Sequence, residues 1–371
     1  MKKEFNNILS ILETFVNFSN SYSDKKGFDY SFKKDKPFLD FNGFGSIAKF
    51  LLDSKSEEYK NIYATIYELE FLEYQENRVE EFIESMRRSV LTSYFTPESL
   101  IEDHVLSLKK IADKNNIKVN SILEPSAGNG RYIKYLTKHF PNATIYALEK
   151  DKTTAAILKY NFLQNPNVIT TNRPLEKIDT LKKYPDKFDL IVSNIPFGSI
   201  SVYDSTFNKK EDKLAKNIHN YFFLKALKLS HENTITSFIT SKGFLDSKLG
   251  IDNRNYLAEN SNFLGAVRLP NKIFKQAKTS VVTDVVYFQK GNNLDPINNK
   301  IPFSEVNHNY QDFATINQYF KEKENTNIIG SPIAGGMYNG NDYTIVSDKP
   351  LEFISNELLT ISNNFNAQNY K

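Results

Sequence analysis

Val119-Asn120-Ser121-Ile122-Leu123-Glu124-Pro125-Ser126-Ala127-Gly128-Asn129-Gly130 is the stretch that decides how this chain folds. Val119 to Leu123 reads as a short buried strand. Arg131 to Phe140 reads as a helix, because Tyr132, Ile133, Tyr135, Leu136 and Phe140 recur at the spacing of one helical face. Strand, glycine turn and helix form the opening unit of a doubly wound α/β sheet. Gly128 and Gly130 let the backbone turn tightly and approach a ligand closely. The turn is not a dinucleotide fingerprint: the third glycine is missing and an acid, Glu124, precedes it.

The next units continue the pattern. Thr144 to Leu148 predicts a strand that ends in Glu149. A carboxylate there accepts hydrogen bonds from two ribose hydroxyls. Without the glycine turn before it, Glu149 would read as a solvated strand-end acid. A helix over 152–163 leads to another strand, Val168 to Thr171. Asn172 follows as a candidate for an adenine ring, although asparagine is also a common loop residue.

A third segment carries the chemistry. Phe188 to Val192 is a mostly apolar run that predicts a buried parallel strand, with Asn194-Ile195-Pro196-Phe197 just beyond it. The tetrapeptide sets a carboxamide, a stiff turn and an aromatic face at one strand end. An adenine amine has two hydrogens to donate and its ring has a face to stack. The Asn194 oxygen can accept one hydrogen, the Ile195 carbonyl the other, and Phe197 can stack. The alternative is a strand end followed by an ordinary turn.

With these segments in place, the chain resembles adenine-N6 DNA methyltransferases that use S-adenosylmethionine. The resemblance rests on Tyr94-Phe95-Thr96-Pro97, on 124–130 and on Ser193-Asn194-Ile195-Pro196-Phe197-Gly198. It is nearer still to the methylase region of the large helicase–methylase proteins of phages and conjugative elements, on Phe41-Asn42-Gly43-Phe44-Gly45, 193–204 and 264–290. It covers roughly residues 40 to 290, without the helicase part. It implies a Rossmann-like class I methyltransferase sheet. It also implies that Phe95, Thr96, Pro97, Glu124, Ser126, Gly128, Gly130, Glu149 and Asn172 hold S-adenosylmethionine, and that 194–197 clamp a flipped adenine. The sulfonium is an activated donor, so the expected reaction needs no metal and no histidine base. Two departures stand out. Ile195 replaces a second proline, which keeps the carbonyl but loosens the turn. Asn172 replaces an acid, and asparagine can both donate and accept at an adenine edge.

Composition sets the outer limits. The 371 residues suffice for one substantial sheet domain with smaller parts. No cysteine is present, which excludes disulfides and thiolate metal sites. No two of the 5 histidines stand at metal-ligand spacing, so no metal is expected. There is no apolar run of membrane-spanning length and no secretory segment at the start, so a cytoplasmic location is expected. A net charge of +3 does not by itself indicate nucleic-acid binding, so local charge must carry that reading.

Three parts are expected: a helical N-terminal domain over 1–115, the methyltransferase domain over 116–290 and a small C-terminal region over 291–371. The first either delivers Phe95 and Pro97 to the cofactor site or serves assembly. Residues 199–216 are polar and uneven, which predicts a mobile loop beside the target base. A helix over 220–229, a strand over 234–240 and strands over 263–269 and 281–289 follow, the last one antiparallel. Between the final two strands, Lys272, Phe274, Lys275 and Lys278 predict a DNA-contacting loop with an exposed ring, against the alternative of a solvated hairpin with one core aromatic. Residues 291–371 either contact DNA or wrap across the sheet. Double-stranded DNA is the expected partner, with a helicase or restriction partner encoded separately. RNA adenine and protein glutamine are alternative substrates. A vestigial fold in a DNA-binding or assembly component is the non-catalytic alternative.

Overall fold

The computed structural model describes residues 54–57, 59–60, 63–64, 96–198, 200–274, 281–291, 303–310, 314–335 and 342–369. Tyr94, Phe95, Lys275, Lys278 and the segment at 41–45 lie outside the described residues. Among the described residues, no helix is long and apolar enough to cross a membrane, and no cluster of His, Asp and Glu could hold a metal ion.

Seven strands make one sheet: β1 (Ser121–Glu124), β2 (Thr144–Leu148), β3 (Val168–Thr171), β4 (Phe188–Asn194), β5 (Ser230–Ser241), β6 (Ser261–Leu269) and β7 (Thr283–Lys290). Their order is β3-β2-β1-β4-β5-β7-β6. The first five are parallel, and β7 runs antiparallel between β5 and β6. This is the Rossmann-like class I methyltransferase sheet. The strand order reverses between β1 and β4. Ligands of open α/β sheets bind at that switch point, beyond the strands' C-terminal ends. Glu124 closes β1 there and Asn194 closes β4.

The apolar residues serve both faces of the sheet. Ile122, Ile145, Leu190 and Ile239 join one core; Leu123, Leu148, Ile191 and Phe238 join the other. A sheet buried on both sides reads as near-continuous apolar runs, which is why these strands are conspicuous in the sequence. The first core is covered by α1 (Glu98–Lys114), α2 (Arg131–His139) and, from the far end of the chain, α8 (Leu351–Ser362). Helix α1 buries Leu100, Ile101, Val105, Leu108 and Ile111. His104 of α1 is also buried, with Nδ1 2.9 Å from Tyr132 Oη and Nε2 2.7 Å from Ser237 Oγ. Burial pushes its pKa down to about 3, so it stands neutral in this network. The remaining helices used below are α3 (Lys152–Asn161), α4 (Lys209–Leu214), α5 (Ile218–Lys228), α6 (Gly243–Asp246) and α7 (Ile251–Asn260).

Several boundaries differ from the sequence reading. β1 starts at Ser121, where Asp189 Oδ2 accepts from the Asn120 and Ser121 N–H groups and ties the strand's beginning to β4. β4 extends through the polar Ser193 and Asn194, because both still pair with β5. β5 begins at Ser230 despite its polar start, with Asn233 at φ 76° and a register shift opposite 188–190. Residues 199–216 are not uniformly irregular. They contain α4, whose Asn208 accepts from the Lys210 and Glu211 N–H groups while Glu211 accepts from the Asn208 N–H in a capping box.

The C-terminal region supplies two small two-stranded sheets, β8 (Val306–Tyr310) with β9 (Ala314–Asn317) and β10 (Ser331–Ala334) with β11 (Tyr343–Val346). It is tied to the main sheet through Arg268 of β6, which is fully buried. Arg268 donates to Asp284 (Nε–Oδ1 and Nη2–Oδ2, both 2.7 Å) and to Asp246 (2.9 and 3.0 Å). Tyr343 Oη donates to Asp246 at 2.7 Å. One guanidinium thus joins β6, β7, α6 and β11.

Candidate active site at the strand switch point

Glu124 is buried at the end of β1. Its Oε1 accepts from Ser193 Oγ at 2.5 Å and from the Ser126 N–H at 3.1 Å. Its Oε2 is buried and has no hydrogen-bond partner among the described residues. Burial pushes its pKa up to about 8, and the negative field of Glu149 adds to the rise. A buried carboxylate with one oxygen unmatched is costly unless a donor or cation arrives.

The turn after Glu124 is built from positive-φ glycines. Gly128 stands at φ 56° and Gly130, the residue before α2, at φ 96°. A side chain at Gly130 would place Cβ 2.2 Å from Phe162 Cε2, so both backbone and space require glycine there. The Gly128 N–H donates to Glu149 Oε2 at 2.9 Å, and the Asp151 N–H donates to Glu149 Oε1 at 2.7 Å. Burial raises the Glu149 pKa to about 7, against those two bonds. Two carboxylates therefore flank one glycine turn.

Asn172 is exposed and staples the loop after β2. Its Nδ2 donates to the Glu149 carbonyl (2.9 Å) and the Lys150 carbonyl (3.0 Å). Both amide hydrogens are committed to the backbone, so the side chain offers its oxygen to a ligand. That is the polarity an acid at this position would have.

Asn194 sits half-buried at the end of β4, and its Nδ2 donates to Thr96 Oγ1 at 3.0 Å. Thr96 lies just ahead of Pro97, which precedes α1. Its carbonyl accepts from Arg131 Nη1 at 3.2 Å. The Thr96-Pro97, glycine-turn and Asn194 segments, far apart in sequence, therefore meet through hydrogen bonds. Ile195 is buried and its N–H donates to the Ile239 carbonyl at 3.1 Å, which fixes the backbone at the position proline would stiffen. Pro196 and Phe197 are half-buried.

One expectation is corrected here. Phe274 is 1% exposed, a core residue and not an exposed ring. It lies edge-on to Phe197, with ring centroids 6.4 Å apart. Ile273 beside it is buried too, so among the described residues at the start of this loop the apolar side chains face in and Lys272 faces out.

Two residues of the site were missed in the sequence. Ser193 lies just past the strand expected over 188–192 and has no role of its own in that reading, yet a polar residue buried at the end of an apolar strand needs a partner, and Glu124 is it. Arg131 opens α2, where the helix dipole disfavours a cation. That conflict signals a specific tie, which is the bond to Thr96.

The family model described as N-6 DNA Methylase matches residues 74–334. The chain is 28% identical over 201 residues to Defense against restriction protein B of Escherichia phage P1, covering 54% of this chain and 8% of that protein. It is 36% identical over 106 residues to a candidate methyltransferase of Methanocaldococcus jannaschii, covering 28% of this chain and 40% of that one. The chain thus spans less than half the length of these curated relatives. Among solved structures, the methyltransferase subunit of a Streptococcus thermophilus type I restriction-modification system aligns with a TM-score of 0.47 at 16% identity, over 54% of this chain and 45% of that one.

Proposed function

This chain belongs to the N-6 DNA methylase family, and from that premise we propose that it transfers the methyl group of S-adenosylmethionine to the N6 amine of an adenine turned out of duplex DNA. The observation that carries the proposal is the hydrogen bond from Asn194 to Thr96. It sets the carboxamide with its nitrogen toward Thr96 and its oxygen on the other side, the orientation an amine donor needs. An aromatic amine is a poor nucleophile because its lone pair is shared with the ring. Accepting its two hydrogens at the Asn194 oxygen and the Ile195 carbonyl favours a more tetrahedral, nucleophilic nitrogen. Phe197, braced edge-on by Phe274, supplies the stacking face. Because the amine is buried in a paired duplex, the base must leave the stack first.

The residues present fit the cofactor. S-Adenosylmethionine, when bound, supplies the methyl already activated on a sulfonium. The unmatched Glu124 oxygen suits the cationic methionine end. Glu149 accepts from the Gly128, Asp151 and Lys150 N–H groups, and its two oxygens together keep acceptor capacity for a ribose hydroxyl. The Asn172 oxygen suits an adenine amine. Positioning of donor and acceptor is what this site contributes, and the proton that the methylated amine sheds passes to water. We extend the proposal to a partner of helicase or restriction type and to phosphate contacts by Lys272, which is exposed beside the site, with Lys275 and Lys278.

Tritiated cofactor offered with duplex DNA, RNA and protein in parallel tests the reading. Label should appear in DNA as N6-methyladenine. Label confined to RNA adenine or to protein glutamine would replace the DNA assignment. No label in any of them would favour a vestigial fold.

A further inference from the structure

The connection from β4 to α5 occupies residues 195–217, against about two to six residues for an ordinary strand-to-helix loop. It leaves the sheet directly from the tetrapeptide at 194–197. Its course alternates in and out. Val202 packs against the core, Asp204 is buried, and Phe207 is buried beyond them. Tyr203, between the two inward residues, is 81% exposed.

A buried ion pair fixes the backbone directly beside that exposed ring. Asp204 Oδ1 accepts from the Thr206 N–H (2.9 Å) and the Thr206 hydroxyl (2.6 Å). Asp204 Oδ2 accepts from Tyr221 Oη at 2.9 Å and pairs with Lys225 Nζ at 2.9 Å. Lys225 is itself buried and also reaches Asp179 at 2.5 Å and Thr206 Oγ1 at 3.1 Å. A buried lysine and a buried aspartate are expensive unless they pair well. Here the pair is spent on fixing the residue next to a solvent-exposed tyrosine. With the backbone beside it fixed, Tyr203 has only its side-chain torsions to give up when the ring binds. Further along the same connection, Lys209, Lys213 and Lys216 are exposed with one exposed acid, Asp212, among them, and the net positive charge suits a polyanion.

We infer that Tyr203 inserts into the duplex at the target site and stacks in the space that the turned-out adenine vacates. The inference rests on the adenine-methylation reading above and adds a residue to it: Phe197 holds the extruded base, and Tyr203 holds open the stack it came from. A neutral aromatic ring replaces lost base stacking without regard to sequence. The lysines on the same connection grip the flanking phosphates.

The test uses the full chain and a duplex carrying an adenine whose methylation has first been mapped on plasmid DNA. Tyr203→Ala should lower the single-turnover methylation rate on the order of ten- to a hundredfold, the value of one aromatic–base stack. The cofactor dissociation constant should not move. Tyr203→Phe should retain the wild-type rate. With an abasic site opposite the target adenine, extrusion is already easier, so Tyr203→Ala should come within about threefold of wild type. Two results would overturn the inference: an unchanged rate for Tyr203→Ala on the paired duplex, or a defect just as large opposite the abasic site. If the wild-type chain methylates no DNA at all, the adenine reading itself fails and takes this inference with it. That outcome is distinct because it needs no variant.

Discussion

Replacing Asn194 with alanine removes the acceptor aimed at the target amine and leaves the cofactor residues in place. Loss of one preorganised acceptor from a transition state costs about 3 kcal/mol, or roughly a hundredfold in rate. The structure adds a second, smaller perturbation of the same element. Thr96→Val keeps the shape of a residue that is 4% exposed but deletes the hydroxyl that accepts from Asn194 Nδ2. That bond is worth about 0.5–1.5 kcal/mol, so the carboxamide should lose its orientation at a cost of about two- to tenfold in rate. If Thr96 acts through Asn194, the double variant should be no slower than Asn194→Ala alone. Single-turnover methyl transfer to DNA, with cofactor dissociation constants measured alongside, gives all four corners of the cycle. Additive losses would mean that Thr96 has its own contact with substrate or cofactor. A wild-type rate for Asn194→Ala would refute the base-clamp reasoning outright.

Cofactor binding should strengthen as pH rises toward 8, because the cationic end needs Glu124 ionised and burial holds its pKa up near 8 until a cation arrives. Calorimetry near pH 7 in two buffers of different ionisation enthalpy should show proton release on binding, and Glu124→Gln should bind more weakly with that release reduced. Replacing Lys272, Lys275 and Lys278 together should weaken DNA binding across sequences and flatten its salt dependence; an unchanged slope of log affinity against log salt would move the phosphate contacts elsewhere. Arg268→Leu should lower stability by about 3–5 kcal/mol in chemical denaturation, since it strands Asp246 and Asp284 in the core without their cation. A loss below about 1 kcal/mol would mean that the core holds Asp246 and Asp284 without needing the guanidinium.

The sheet was legible because burial on both faces turns its parallel strands into apolar runs punctuated by turn residues. The ends of the strands were less so. Ser193 and Asn194 look like the start of a loop, but strand pairing continues through polar residues when the neighbour's backbone is there to bond. Glu124, Glu149 and Asn194 could be found because acids and amides at strand ends have few structural reasons to be there. Thr96 could be placed only by resemblance, since nothing local in its segment points to a partner at Asn194. Phe274 was misread because its lysine neighbours suggested a solvated loop. One aromatic among lysines can turn inward while they turn out, and only the packing against Phe197 reveals which way it goes.

The far end of the chain bears on the site through packing. Helix α8 lies against α1, and Ile354 and Leu358 share a core with Leu100, Ile101 and Val105. After α8 the chain runs across the same face of the sheet that α1 covers. Phe365 packs against Tyr287 of β7 and lies where a side chain at Gly265 would have to be, 2.4 Å from the ring. The Gln368 N–H donates to Gln289 Oε1 at 2.7 Å, and Asn369 Nδ2 donates to the Asn116 carbonyl at 3.1 Å, just past the end of α1. Helix α1 is thus held from two sides, by the sheet below it and by the last helix beside it. Its first turn follows Thr96-Pro97, and Thr96 orients Asn194. Helix α1 therefore fixes the position of the residue that orients the Asn194 amide. Residues 351–369 act on the site as a brace, whatever the intervening segments do with DNA.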